Sequence, residues 1–135
     1  DVGKIAVPDE ILLQPGPLDV AEWQIVRQHT VVGERILAAS PALREVARIV
    51  NSTHERWDGA GYPDGLAGEA IPLEARIVAA CDAFRAITEG RPYQEARGVE
   101  EALAELRRHA GSQFDAAVVG ALCTVVGRDR ARAAL

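Results

Sequence analysis

Residues 53–72 read Thr-His-Glu-Arg-Trp-Asp-Gly-Ala-Gly-Tyr-Pro-Asp-Gly-Leu-Ala-Gly-Glu-Ala-Ile-Pro, and no other stretch limits the fold of this chain as strongly. Gly59, Gly61, Gly65 and Gly68 fall within ten residues of one another, and Pro63 and Pro72 stiffen the run. Each glycine adds backbone entropy that a helix or strand would have to remove, so the spacing predicts a loop. A long ordered loop inside a compact domain is uncommon and usually functional. This one starts at His54, a side chain able to bind a metal or move a proton near neutral pH. Glu55, Arg56, Asp58 and Tyr62 stand next to it in sequence, all capable of polar contact with a ligand.

Around the loop the apolar residues recur at helical spacing. Pro8 to Leu13 reads as a short helical turn ended by Pro15-Gly16-Pro17, and Asp19 with Glu22 forms a capping box for a helix that buries Trp23 and Val26. His29 is expected to end that helix and Thr30 to cap the next, which carries Val31, Ile36 and Leu37, with Gly33 marking a close helix contact. Ser40-Pro41 opens a helix with Leu43, Val46, Ala47 and Val50 inward, and His54 follows on the same stripe. Pro72 starts a helix to about Thr88, stopped by Gly90, and Val99, Ala102, Leu103 and Leu106 line another that ends at Gly111. Asp115 caps a last helix with Val118, Val119, Leu122 and Val126 inward. No segment alternates like a strand and no repeat is present, so the predicted class is all-α.

At 135 residues the chain is one domain large enough to bury most of its apolar surface. Its net charge of −5 and pI near 5.2 argue against a nucleic-acid polymer as partner, which calls for a basic face. A small dianionic nucleotide stays compatible, since a few local cations can neutralise it. No run of eighteen apolar residues and no signal peptide are present, so no membrane span is expected. Cys81 and Cys123 lie in apolar helical contexts and read as reduced core cysteines of a cytoplasmic protein. Methionine is absent and the chain begins abruptly at Asp1, which reads as a piece of a longer protein.

The segment His54-Glu55-Arg56-Trp57-Asp58-Gly59-Ala60-Gly61-Tyr62-Pro63-Asp64-Gly65 resembles the signature of the HD-GYP family, bacterial metal-dependent phosphohydrolases that open cyclic di-GMP. The match continues through residues 71–77, Asp82-Ala83-Phe84 and Arg91-Pro92-Tyr93, over nearly the whole chain. It implies an HD-domain helical bundle that lacks its N-terminal helices, spanning residues 1–127 with 128–135 as a C-terminal tail. It further implies metal ligands at Asp1, His29, His54 and Asp82, holding iron or manganese, and a catalytic, phosphate-facing Lys4. Gly61, Tyr62, Pro63 and Arg91 become the substrate-binding residues. The implied partners are a cyclic dinucleotide, an upstream receiver or sensor domain, and signalling proteins that meet the Gly-Tyr-Pro loop; a homodimer is left open. With the upstream helices absent, apolar surface near Asp1 and His29 should be exposed or covered by another molecule.

Each assignment has a plainer counterpart. His29 reads equally as a helix-terminal histidine on a carbonyl, His54 as a satisfied core group, and the turns at Asp58-Gly59 and Pro63-Asp64-Gly65 as simple turns. Asp82 sits among Ala75, Val78, Ala79 and Ala86, where a buried carboxylate needs a cation, although it could instead face water beside Arg85. Arg91 reads equally as a surface arginine.

The chain also departs from the family pattern. Thr53 stands where the family has a second histidine, and a hydroxyl is a far weaker ligand for a transition metal than imidazole. The motif histidine that precedes Asp1 is missing, Gln94 replaces a basic residue, and Arg85 replaces an aspartate. A single-metal or vacant site is therefore expected. Two functions follow: a metal-dependent phosphohydrolase of cyclic di-GMP, or a degenerate, non-catalytic module that binds nucleotide or a partner domain. An HD phosphohydrolase acting on another phosphate ester fits the loop less well.

Overall fold

The computed structural model describes residues 1–89 and 96–133. Among them the helices are α1 (Asp9–Leu12), α2 (Val20–Arg27), α3 (His29–Ala38), α4 (Arg44–Asn51), α5 (Leu73–Glu89), α6 (Val99–Arg108) and α7 (Ala116–Ala133). Short 3-10 turns occupy Val2–Ala6, Pro41–Leu43, Ser52–His54 and Gly68–Ala70. No strand forms among the described residues beyond one bridge between Ala110 and Phe114, so the all-α expectation holds. None of the described helices is long and apolar enough to cross a membrane.

The N-terminal half is built on α3, which packs against α4 on one side and the Val2–Ala6 turn on the other. Two glycines allow that approach. A methyl group on Gly3 would run into the His29 carbonyl and come within 2.5 Å of the Gly33 nitrogen, and one on Gly33 would lie 3.2 Å from Val50 Cγ1. The close contact predicted from Gly33 is thus made by the Gly3 backbone on one side and the Val50 side chain on the other. It holds the Asp1–Lys4 segment beside the start of α3, a first step in assembling the site.

The C-terminal half closes a core of Ala80, Leu106, Phe114, Val118 and Val119 between α5, α6 and α7. Ala75 and Ala102 are fully buried beside it. A buried ion pair ties the layers: Arg76 Nη1 of α5 lies 2.7 Å from Asp115 Oδ2. Asp115 Oδ1 also accepts from the Ala117 N–H, so the predicted cap serves as an ion-pair partner too. Burial alone would raise the Asp115 pKa, but the hydrogen bonds from Arg76 and the two backbone N–H groups of the first turn hold it below the usual value.

Several local expectations are corrected. His29 opens α3 instead of closing α2, and Thr30 does not cap; its hydroxyl donates back to the Arg27 carbonyl from inside the helix. Gln28 separates the two helices as a single residue of helical dihedrals, so the boundary falls just before the position read from the sequence. The Asp19–Glu22 capping box forms as read. Trp23, Leu43 and Val46 are exposed, not inward, and Cys81 is exposed although Cys123 is half-buried. Pro41 starts a 3-10 turn, with Ser40 making no side-chain cap. Val2, Ile5, Leu13, Val20 and Trp23 are exposed apolar side chains among the first thirty residues.

Candidate functional site

A cleft of about 740 Å³ lies between the two halves, and Asp1, Lys4, His29, His54 and Asp82 all line it. Three chain segments deliver the first four. The 3-10 turn pinned by Gly3 presents Asp1 and Lys4, the first turn of α3 presents His29, and the 3-10 turn that follows α4 ends on His54. Asp82 comes from the middle of α5. The four side chains expected to share one centre therefore face a single space. Among the described residues, however, no three His, Cys, Asp or Glu side chains converge closely enough to hold one ion.

The imidazoles form the tightest part of the site. His29 is 4% exposed, and its Nδ1 bonds the Val26 carbonyl. A carbonyl only accepts, so Nδ1 carries the hydrogen and Nε2 keeps its lone pair. His54 meets this ring edge to face, with centroids 5.0 Å apart at 76°. Burial lowers the His29 pKa, aided by the charge of Lys4 and opposed by the Val26 bond. Burial, then His29, pushes His54 down to about 4, with Asp82 pulling the other way. Both rings are consequently neutral at pH 7, the state in which imidazole donates to a metal.

The glycine-rich loop is ordered around the second ring. Gly61 leaves no room for a side chain, since a Cβ would lie 2.5 Å from Glu55 Cα and 2.7 Å from Glu55 C. That approach lets the Tyr62 N–H donate to the His54 carbonyl at 3.2 Å. It also lays the Tyr62 ring on the His54 ring, 5.1 Å between centroids and 8° from parallel. The Tyr62–Pro63 peptide is cis. Beyond it, the buried Glu55 accepts from the Asp64 N–H at 2.7 Å, and Asn51 Nδ2 donates to Asp64 Oδ2 at 2.8 Å. Trp57 and Asp58 donate their backbone N–H groups to Gln113 and Ser112, tying the loop to the turn before α7. Trp57 is half-buried beneath the Arg76 guanidinium, 5.6 Å from the ring centroid.

The remaining sequence-predicted residues fare differently. Asp1 is exposed and pairs with Lys4 at 2.9 Å, so the cation expected to face phosphate has a carboxylate partner within its own turn. Asp82 is exposed at the cleft wall, not buried on an apolar stripe, because the cleft opens the groove beside Val78 and Ala79. Thr53 lines the cleft, but its hydroxyl donates to the Val50 carbonyl at 2.9 Å. Arg91 and Gln94 lie outside the described residues. Arg27, which the sequence did not single out, lines the cleft with its guanidinium carbon 5.1 Å from the Tyr62 ring centroid. The only signal for it was a basic residue in the last turn of α2.

Two neutral nitrogens that share one cleft fit the needs of a divalent transition metal. The carboxylates of Asp1 and Asp82 face the same space without closing on the rings. A second, smaller cavity of about 280 Å³ near Ile87, Leu106 and Phe114 contains the Glu105–His109 pair, 3.3 Å apart, and none of the residues above.

Comparison with known proteins bears on the family and the fold. A family model described as HD domain matches residues 1–118. The cyclic di-GMP phosphodiesterase response regulator RpfG of Xanthomonas campestris is 48% identical over 124 residues, covering 90% of this chain and 33% of that protein. A cyclic di-GMP phosphodiesterase of Thermotoga maritima is 46% identical over 123 residues, with 90% and 33% coverage. A 3'3'-cGAMP-specific phosphodiesterase of Vibrio cholerae is 42% identical over 121 residues, with 88% and 23% coverage. The chain spans about a third of the length of the first two. The crystal structure of a cyclic GMP-AMP specific phosphodiesterase from V. cholerae superposes with a TM-score of 0.68 at 21% identity, covering 95% of this chain and 33% of that one. That likeness is one of fold.

Proposed function

Since this chain belongs to the HD domain family and, by its Gly-Tyr-Pro loop, to the HD-GYP branch of it, we propose that its cleft hydrolyses a phosphodiester of a cyclic dinucleotide, cyclic di-GMP first among them. The observation that carries the reading is the convergence of Asp1, Lys4, His29, His54 and Asp82 on one cleft beneath the Tyr62 rim. His29 and His54 would hold a divalent iron or manganese ion, with Asp1 and Asp82 as its carboxylate neighbours. When bound, such an ion lowers the pKa of a coordinated water towards neutrality.

The chain's own groups do the rest. The Val26 carbonyl keeps the His29 lone pair turned to the cleft. Tyr62 braces the second ring, so both imidazoles keep one orientation. Lys4, only part-exposed beside Asp1, faces the phosphoryl oxygens, where a positive charge favours the developing negative charge. Arg91 supplies a second cation by family resemblance, suited to bidentate phosphate contact. One phosphorus–ester oxygen bond breaks and the oxygen of water takes its place, opening the ring to a linear dinucleotide.

The test is incubation of the purified protein with ferrous iron or manganese and cyclic di-GMP, with products resolved by anion-exchange chromatography. Turnover that disappears in His54→Ala and in Asp82→Ala is expected. A folded wild-type protein that gives no linear product with either metal would refute the hydrolytic reading. A binding module is then the alternative, favoured by one observation: Thr53 turns its hydroxyl to backbone and offers the cleft no third nitrogen. A sensor or receiver domain and proteins that meet the loop are proposed as further partners.

A further inference from the structure

Among the described residues three lysine or arginine side chains line the cleft, and two are already matched: Lys4 pairs with Asp1 at 2.9 Å, and Arg56 pairs with Asp58 at 2.7 Å. Arg27 has no carboxylate partner among the described residues. Its side chain rests instead on the face of the Tyr62 ring, 5.1 Å from guanidinium carbon to centroid. A guanidinium on an aromatic face uses its π surface, while its N–H donors point outward in the plane of the group and stay available. The same ring is stacked on His54, which fixes the platform relative to the imidazole pair.

We infer that Arg27 is a phosphate-binding residue of this cleft, gripping a phosphodiester of the cyclic dinucleotide through its N–H edge while Tyr62 holds it in place. The inference rests on the cleft taking a cyclic dinucleotide, and it adds a residue that neither the motif nor its spacing indicates. The chemistry suits the ligand. A cyclic dinucleotide brings two negative charges into a protein of net charge −5, so an unmatched guanidinium at the rim is the natural place for one of them. Arginine's planar fork matches two phosphate oxygens at once, whereas a lysine offers one compact charge.

The experiment is calorimetric titration of EDTA-treated protein with cyclic di-GMP, alongside steady-state kinetics of the metal-loaded protein. Variants are Arg27→Ala, Arg27→Lys and, as a charge-matched control off the cleft, Arg35→Ala. Removing a charged hydrogen-bond partner should weaken Kd by about 10- to 100-fold for Arg27→Ala. KM should rise by a similar factor, with kcat within about threefold of wild type. Arg27→Lys should recover only part of the affinity, and Arg35→Ala should bind like wild type. Equal Kd for wild type and Arg27→Ala, or full recovery by lysine, would overturn the phosphate grip while leaving the site's ligand intact. A loss confined to kcat would overturn it as well, pointing instead to displacement of Tyr62 and His54. Wild-type protein that binds no cyclic di-GMP at all would sink the functional reading, and this inference with it.

Discussion

Gly61→Ala tests whether the Gly-Tyr-Pro loop owes its shape to one missing side chain. The new Cβ would stand 2.5 Å from Glu55 Cα and 2.7 Å from Glu55 C, about 1 Å inside ordinary van der Waals contact. Both neighbours are backbone, so no rotamer change relieves the clash. Residue 61 must back away by roughly that amount, which stretches the 3.2 Å bond from the Tyr62 N–H to the His54 carbonyl beyond hydrogen-bonding range. Overpacking costs about 1–3 kcal/mol and the lost bond about 1 kcal/mol. The expected total is about 2–4 kcal/mol, read by denaturant unfolding. Proton NMR of the His54 ring gives a second readout, since loss of the Tyr62 stack removes its ring-current shift. Gly120→Ala is the control: that glycine sits inside α7, and a methyl group there would meet nothing within 4 Å, so alanine should stabilise by about 0.5–1 kcal/mol. A Gly61→Ala protein with wild-type stability and an unmoved His54 resonance would show that the close approach to Glu55 is not what orders the loop.

Three further outcomes are expected. Thr53→His should raise stoichiometric metal content measured by elemental analysis after metal-supplemented expression, because position 53 lines the cleft; unchanged metal would mean that the side chain keeps facing the Val50 carbonyl. Asp115→Asn keeps the cap bond to the Ala117 N–H but leaves Arg76, 16% exposed, without its anion, at a cost of about 2–4 kcal/mol in unfolding free energy; a loss below about 1 kcal/mol would mean that solvent screens the pair. In metal-free protein, stability should fall as pH drops from 6.5 towards 4. His54 has a folded pKa of about 4 against 6.5 unfolded, so its contribution is complete above the unfolded value and is lost below it as the unfolded chain takes up the proton. The size is about 1–2 kcal/mol once solvent screening of the half-buried ring is allowed for, and His54→Gln should flatten the profile. An unchanged slope in that variant would assign the effect to other groups.

Helix positions in the C-terminal half were readable because a 3.6-residue period and strong caps act over a few neighbouring residues. The α6 stripe of Ala102, Leu103 and Leu106 and the Asp115 cap appear where local rules put them, as does the Asp19–Glu22 box nearer the start of the chain. The N-terminal half was otherwise harder. Trp23, Leu43 and Val46 look inward by pattern but are exposed, since periodicity identifies an apolar face and cannot say whether anything covers it. The break between α2 and α3, expected at His29–Thr30, falls at Gln28, because an interruption with helical dihedrals leaves no sharp mark in spacing.

For the site, composition and motif determined the loop, its glycines and the identity of His54, Tyr62 and Asp82, since each of these follows from residue type within one short stretch or from resemblance to a family. Only the tertiary structure decided which charges remain unmatched. Lys4 is paired within its own turn, Arg56 within its loop, and Arg27 is left on the Tyr62 ring. Whether a cation is free depends on through-space distance to an anion, and that distance is set by how α2, α3 and the loop pack, which no linear spacing encodes.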